Sequence, residues 1–275
     1  MADVTELWER IDAVERGCAF VDRSSWGKVT VAGSDARGWL GDLLTADIAT
    51  LVSGPARRSL LLSPTGRIRA DVLVAARADD TFVLVQDPAE PEPIGRSLAP
   101  YVLSSAVDLE DISERAGLLV FDDDRLVVGT RSTIAAGRRD LLERGCVEMD
   151  EAAFESRRVI RGDPRMGVDF EAGALPAEAG LDRLIDTEKG CFLGQESVAR
   201  VRNLGHPPTL LRHLRSSAAV RPGTPVVADS REVGRITSST PAPGGGAIVL
   251  ARVDWEAGEA QLRTPEGPLI RIETD

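Results

Sequence analysis

The residues best suited to chemistry lie in one short stretch, Lys189-Gly190-Cys191-Phe192-Leu193-Gly194-Gln195-Glu196. Cys191 supplies a nucleophile whose reactive form is the thiolate. A cation before it, at Lys189, and the backbone N–H groups of a helix after it would both lower the pKa of a thiol. The stretch therefore predicts an activated cysteine, and the alternative is a small, buried, apolar side chain behind a helix end.

Two helices are expected to position this cysteine. Leu181, Leu184 and Ile185 recur at helical spacing, and Gly190 falls where a left-handed C-cap is favoured. We therefore expect a buried helix that ends just before Cys191. A second helix over 195–202 is expected after Gly194, which would leave the cysteine in a tight loop.

Composition and hydropathy restrict the class of protein. A chain of 275 residues with 43% hydrophobic and 28% charged residues is typical of a globular protein with a sizeable core. No apolar run approaches the ~20 residues that a bilayer requires. The segment over 5–17 has the pattern of an amphipathic helix and not of a signal peptide. We expect a cytoplasmic protein with no membrane partner.

Cysteine number and net charge exclude further classes. Cys18, Cys146 and Cys191 are odd in number and far apart, which argues against a disulfide framework and against a stable iron–sulfur cluster on this chain. Neither His206 nor His213 has acidic residues near it at the spacing of a metal site, so no metal site is predicted. A net charge of −11 opposes direct, stable binding of nucleic acid.

Strands and helices alternate irregularly over the first 200 residues, which indicates an α+β fold. After Ser34 or Asp35 a helix is predicted with Trp39, Leu40 and Leu43 facing inward. The other predicted helices cover 132–144 and 150–161, and a further one follows Pro93. The predicted strands cover 19–22, 28–31, 58–62, 67–75, 81–86, 107–112, 118–121 and 126–129. Those over 58–62, 67–75 and 81–86 are expected to form an antiparallel meander.

The pattern changes near residues 206–208, where Pro207 and Pro208 end the second helix. Short strands then alternate with Gly- and Pro-containing turns, which predicts a small β-barrel. We therefore divide the chain into two regions. Residues 1–205 form two interleaved α+β subdomains, the second over about 50–150, and residues 206–275 form the barrel.

The motif around Cys191, extended to Arg200, resembles the signature of the YgfZ branch of the YgfZ/GcvT folate-binding family. Similar segments occur in the expected order upstream: Asp22-Arg23-Ser24, 33–40, 44–48, 66–71 and 158–169. The resemblance implies a GcvT-like fold in which the two α+β subdomains and the barrel surround a central cavity. It also implies tetrahydrofolate, or a one-carbon-substituted folate, as the cofactor.

The resemblance suggests roles for two carboxylates. Glu178 corresponds to a glutamate that recognises the pterin ring, and a carboxylate suits an aminopyrimidine edge because it accepts two parallel hydrogen bonds. Its alternative role is a helix N-cap or first-turn acid. Asp71 matches the second of two adjacent aspartates in many aminomethyltransferases, with Ala70 in place of the first. Alternatively, it is a solvent-facing strand residue.

Cations complete the expected site. Lys189 and Arg200 would lower the pKa of the thiol or hold the anionic folate tail, and Arg158 lies in a cluster of arginines able to grip its carboxylates. Solvated surface cations are the alternative in each case. Phe192 stands where family members often have tyrosine, so a role for a phenol is not expected.

Two functions follow from the resemblance. The first is a tetrahydrofolate-binding accessory protein for iron–sulfur cluster assembly or maintenance, whose partners are client enzymes or assembly proteins. A link to tRNA modification would then be indirect. The second is a folate-dependent aminomethyltransferase of the glycine cleavage type. The cysteine loop favours the first, and Ala70 weakens the second, so classical aminomethyltransferase activity is not expected.

Overall fold

The computed structural model describes residues 18–78, 80–103, 105–121, 123–258 and 260–272. The helix predicted over 5–17 lies outside these residues. The described chain divides into two compact units. One, here called the sheet unit, extends to Met149 and also includes Arg183–Val198; the other, the barrel unit, comprises Asp150–Asp182 and the residues from Ala199 onward.

The sheet unit contains two sheets and three helices. The helices are α1 (Ala36–Leu43), α2 (Ile94–Leu98, continued by a 3-10 turn at Ala99–Tyr101) and α3 (Arg131–Glu143). The strands are β1 (Ala19–Asp22), β2 (Gly27–Ala32), β3 (Arg57–Leu62), β4 (Ile68–Ala78), β5 (Thr81–Gln86), β6 (Asp108–Asp111), β7 (Ala116–Phe121), β8 (Leu126–Thr130) and β9 (Val147–Glu148).

The larger sheet is antiparallel, with strand order β3-β4-β5-β2-β6. Alternate residues of its central strands lie in one core, and α1 buries Trp39, Leu40 and Leu43 in the same core. The predicted meander and the inward face of α1 are confirmed. Asp35 precedes α1 but does not cap it with its side chain, because its carboxylate accepts from the Ala106 N–H instead.

The second sheet has the order β8-β7-β1-β9, in which β1 and β9 run parallel and the other pairs antiparallel. Helix α3 packs against it and is capped by Thr130, whose hydroxyl accepts from the Thr133 N–H. Ile134 is the buried residue of α3 and joins a small core with Phe20 and Phe121.

The expectation that the chain forms no disulfide is wrong for one pair, since Cys18 and Cys146 are joined. Ala19 on β1 pairs with Val147 on β9. Cys18, just before β1, therefore lies beside Cys146, just before β9. The two Cα atoms are 4.8 Å apart, within the range that a disulfide spans. A separation of 128 residues conceals this neighbourhood in the sequence.

The barrel unit contains α4 (Glu151–Ile160) and a closed six-stranded barrel of order β10-β13-β12-β11-β14-β15. Asp150 caps α4 by accepting from the Ala153 N–H. The predicted barrel is confirmed. Its strands are β10 (Thr209–Ser216), β11 (Pro225–Ala228), β12 (Arg231–Pro241), β13 (Ala247–Asp254), β14 (Arg263–Thr264) and β15 (Gly267–Arg271), with a 3-10 turn at Trp255–Ala257.

Helix α5 (Gln195–Leu204) follows the cysteine loop and confirms the helix predicted there. In the described part of the chain, no helix combines the length and apolar character needed to cross a bilayer.

Candidate functional site

Cys191 lies in the sheet unit with an exposed and unpaired thiol. The next residue, Phe192, is buried. The backbone N–H of Leu193 donates to the Asp42 carbonyl at 2.8 Å, which fixes the loop to the end of α1. The cysteine therefore projects into solvent from a loop that its neighbours hold in place.

Lys189 provides the other anchor of this loop. Its Nζ donates to the carbonyl oxygens of Gly41, Leu44 and Ala46 at 2.6, 2.5 and 3.0 Å. Nζ also lies 5.3 Å from the centre of the Phe192 ring. An ammonium group has three N–H donors, so all of them are used at the C-terminal end of α1. Burial lowers the pKa of this lysine. A ligand would have to displace one of the three carbonyls to bind it.

Close packing at Gly194 and Gly66 fixes the end of the loop that leads into α5. Gly194 has a positive φ of 84°, and a Cβ added there would lie 2.5 Å from the Ser63 carbonyl oxygen. A Cβ added to Gly66 would lie 2.9 Å from the Ser197 Cβ. The Ser197 hydroxyl donates to the Pro64 carbonyl at 3.0 Å. The turn between β3 and β4 therefore packs directly on the start of α5.

The helix predicted before Cys191 is wrong. A 3-10 turn at Asp182–Leu184 replaces it, and Gly190 does not adopt the left-handed conformation of a C-cap. The apolar spacing has another cause. Leu181 is buried in the barrel unit and Leu184 lies in the sheet unit, so the segment passes from one unit to the other instead of forming a helix.

Asp71 lies on β4 with its side chain 9% exposed, so it is not a solvent-facing residue. Arg58 on β3 binds both carboxylate oxygens, with Nε to Oδ1 at 2.9 Å and Nη2 to Oδ2 at 2.5 Å. Paired, bidentate contacts of this kind are among the strongest hydrogen bonds in proteins. The carboxylate is therefore held in a fixed orientation and neutralised.

Sequence reasoning missed the neighbour of Asp71, Glu90. Its Oε2 accepts from the Asp71 N–H at 3.1 Å and from Gln86 Nε2 at 2.9 Å. Burial, opposed in part by the Gln86 hydrogen bond and reinforced by Asp71, raises the pKa of Glu90 to about 8. Glu90 lies in a proline-rich turn that the sequence marks only as a break between elements. The fold, not the local pattern, brings it to β4.

Glu178 lies in the barrel unit, in the turn before the 3-10 helix. Its Oε2 accepts from the Leu175 N–H at 2.7 Å, and its carbonyl accepts from the Leu211 N–H at 3.0 Å. The helix for which Glu178 would be the N-cap or a first-turn acid does not form, and the carboxylate instead accepts from a preceding N–H within the turn. A carboxylate oxygen has two lone pairs, so this bond does not use the full capacity of the group.

Arg158 does not fit the predicted cofactor role. Its side chain is 7% exposed. Nε donates to Glu155, Nη1 to the Asp163 carbonyl and Asp169, and Nη2 to Glu155 and Ser238. A guanidinium has five N–H donors, and all five are used inside the barrel unit. A buried cation must be fully hydrogen-bonded, and Arg158 finds its partners on its own helix, in the loop that follows it and, 80 residues away, at Ser238.

The predicted site residues therefore fall into two groups. Cys191, Lys189 and Asp71 belong to the sheet unit, whereas Glu178, Arg158 and Arg200 belong to the barrel unit. Arg200 is exposed on α5, and its cofactor role stays a prediction. Among the described residues, no group of three or more His, Cys, Asp and Glu side chains is arranged to hold a metal ion.

Comparison with known proteins agrees with this fold. Residues 5–121 match the family model of the GCVT N-terminal domain. The structure superposes on the glycine cleavage system aminomethyltransferase T of Bartonella henselae with a TM-score of 0.81, covering 98% of this chain and 88% of that one at 16% identity. The chain thus has a GcvT-like fold.

Two relatives identified by sequence are named as transferases. A chloroplastic protein of Arabidopsis thaliana that is named as a transferase is 25% identical over 84% of this chain. The present chain spans 64% of the length of that relative. An aminomethyltransferase of Synechococcus is 27% identical over 84% of this chain and 77% of its own. These likenesses support the GcvT superfamily and do not distinguish its YgfZ branch.

Proposed function

We propose that this chain is a tetrahydrofolate-binding accessory protein for iron–sulfur cluster assembly or maintenance, with Cys191 as its working group. The observation that carries the proposal is the presentation of Cys191. Its thiol is exposed and unpaired, while Lys189 and Phe192 on either side point into the protein. A loop built to hold a thiol in solvent suits reaction with a partner protein or its cluster.

The residues present fit folate in part. The Glu178 carboxylate is oriented by the Leu175 N–H and retains acceptor capacity for an aminopyrimidine edge. Arg200 is an exposed cation that suits the anionic tail. Arg158 has no N–H donor left for that tail. Lys189 would have to break one of its hydrogen bonds to a backbone carbonyl in order to bind the tail. When bound, folate would supply or accept a one-carbon unit.

Replacing Glu178 with alanine is expected to weaken tetrahydrofolate binding by about 2 to 5 kcal/mol, since it removes one partner of a charge-assisted pair. Titration calorimetry of both proteins under anaerobic conditions measures the difference. Glu171→Ala removes an exposed carboxylate from the same unit and is the control. Equal affinities in wild type and Glu178→Ala would exclude Glu178 from the binding site.

Replacing Cys191 with serine is expected to leave the thermal midpoint unchanged, because the side chain is exposed, and to abolish complementation of a strain that lacks its own family member. Glu188→Gln, an exposed change in the same loop, is the control and should complement. Full complementation by the serine variant would contradict a working role for the thiol.

The second candidate is an aminomethyltransferase, the activity for which the Synechococcus relative is named. Ala70 and the Arg58 pair on Asp71 oppose it, because the first of the two aspartates is missing and the guanidinium of Arg58 balances the negative charge of the second, which would otherwise assist transfer. Incubation with tetrahydrofolate and an aminomethylated lipoyl carrier protein separates the candidates. We expect no methylenetetrahydrofolate. Turnover that is lost in Asp71→Ala and retained in Cys191→Ser would establish the transferase instead.

A further inference from the structure

We infer that Lys189 is a positioning residue for Cys191: together with backbone N–H groups before and after it, the lysine caps the C-terminal end of helix α1, and this cap fixes the position of the thiol. Every contact that carries the inference lies within the sheet unit. The importance of that position for activity rests on the proposed function, whereas the cap itself does not.

Helix α1 ends without a cap from its own neighbourhood. Its C-cap residue, Leu44, is extended, with φ −97° and ψ 152°, so the chain leaves the helix without the left-handed turn that commonly satisfies the last carbonyls. The last turn of α1, which the structure describes in full, contains no basic side chain. The Leu44 N–H bonds to the Leu40 carbonyl, so the carbonyls beyond Leu40 need donors from elsewhere.

The segment over 186–193 supplies these donors to the carbonyls between residues 41 and 46. The donors and acceptors are Lys189 Nζ to Gly41, Leu44 and Ala46, the Leu193 N–H to Asp42 at 2.8 Å, and the Asp186 N–H to Thr45 at 3.0 Å. A cation at the C-terminal end of a helix also interacts favourably with the helix dipole. The segment is therefore the cap that α1 lacks locally.

Cys191 lies between two of these contacts, since Lys189 precedes it by two residues and Leu193 follows it by two. Within the part of the chain that the structure describes, neither the Gly190 N–H nor the Cys191 N–H donates a hydrogen bond. Lys189 Nζ also lies 5.3 Å from the ring centre of the buried Phe192. The position of the thiol therefore depends on the contacts of the residues on either side of it.

The contacts of Lys189 compete with a role in binding a ligand or the thiolate. The three carbonyl oxygens around Nζ only accept hydrogen bonds, so they favour the ammonium form, which has three N–H donors, over the neutral amine. Binding a folate carboxylate or the thiolate would take one of these donors from the cap. Lys189 thus acts on Cys191 through the loop that joins them.

Arg37 on α1 provides a matched control. Its Nη1 donates to three backbone carbonyls of the segment after α1, those of Ile48, Ala49 and Leu51, at 3.0, 3.2 and 2.8 Å. Lys189→Met and Arg37→Met therefore each remove a cation from backbone carbonyls, and both should lower the thermal midpoint. Only Lys189→Met removes contacts that tie residues 186–193 to α1, so only this variant should release Cys191.

NMR relaxation of the backbone nitrogens in the full chain tests the inference. The order parameter of the Cys191 amide is expected to be about 0.85 in wild type and in Arg37→Met, as for rigid backbone, and below about 0.6 in Lys189→Met. Protection of the Leu193 N–H from hydrogen exchange should be lost in Lys189→Met alone. A purely structural role for Lys189 would lower the thermal midpoint and change neither readout in the folded protein.

A measurement on the wild type decides the case if Lys189→Met does not fold. Lys28 and Lys189 are the lysines of the chain, so isotope-labelled lysine gives one ammonium signal for each, and through-space contacts with the Phe192 ring assign that of Lys189. Its protons are expected to exchange slowly with water, because all are hydrogen-bonded. Exchange as fast as that of a solvated lysine would overturn the inference, as would a wild-type Cys191 order parameter below about 0.6.

Tetrahydrofolate titration separates this inference from the proposed function. An ordered Cys191 amide in folded Lys189→Met, together with weaker folate binding, would overturn the inference and assign Lys189 to the ligand. Full complementation by Cys191→Ser would contradict the proposed function but not the cap, which the order parameter in Lys189→Met decides by itself.

Discussion

Replacing Arg158 with alanine is expected to lower the free energy of unfolding by about 3 to 5 kcal/mol, the cost of leaving a buried charge without its partner. Asp169, with a fully buried side chain, would be that charge. It also accepts from Thr237 at 2.5 Å and Ser238 at 2.7 Å, but neither hydroxyl carries a compensating positive charge. The barrel unit would lose the link between α4, Asp169 and strand β12.

Urea unfolding at pH 7 measures this change, with Arg161→Ala as the control. Arg161 lies on the same segment, its side chain is 48% exposed, and its ion pair with Asp163 spans 4.0 Å, so its loss should cost less than about 1 kcal/mol. Arg158→Lys should not restore stability, since an ammonium has three donors and cannot replace five. A cost below about 1 kcal/mol for Arg158→Ala would mean that the network contributes little.

Breaking the Cys18–Cys146 disulfide is expected to destabilise the sheet unit by up to about 4 to 5 kcal/mol, because the bond closes a loop of 128 residues in the unfolded chain. Urea unfolding with and without a thiol reductant measures the effect, and Cys18→Ser should reproduce it. Cys191→Ser is the control and should respond to reductant as the wild type does. Thiol titration of the denatured, unreduced protein should find one thiol per chain.

Three thiols without reductant would show that the bond does not form in the purified protein, and the stability difference should then be absent. One thiol without a stability difference would instead mean that the unfolded chain is already restricted at these positions.

Local patterns were sufficient for most of the fold. The strand-like runs of β3, β4 and β5, the turns between them and the apolar face of α1 are properties of neighbouring residues, and all are confirmed. The stretch from Leu181 to Gly190 shows where this reasoning fails. Helical spacing of Leu181 and Leu184 predicts one packed face, but the two side chains belong to different units.

The chemistry of the site depended on contacts that sequence does not reveal. Lys189 was expected to serve the thiol or a ligand, yet its partners at Gly41, Leu44 and Ala46 precede it by 143 to 148 residues. Arg158 reaches Ser238 across 80 residues. In both cases the tertiary fold supplies acceptors that the local sequence does not reveal.

The cysteine arrangement also makes the protein a convenient subject for spectroscopy. Among the described residues Cys191 is the free cysteine, and Cys18 and Cys146 are bonded to each other. Under non-reducing conditions a maleimide fluorophore or nitroxide would therefore attach at one position of the natural sequence. Because Phe192 and the Leu193 N–H fix the loop beneath it, the label would report on what approaches Cys191 more than on motion of the loop itself.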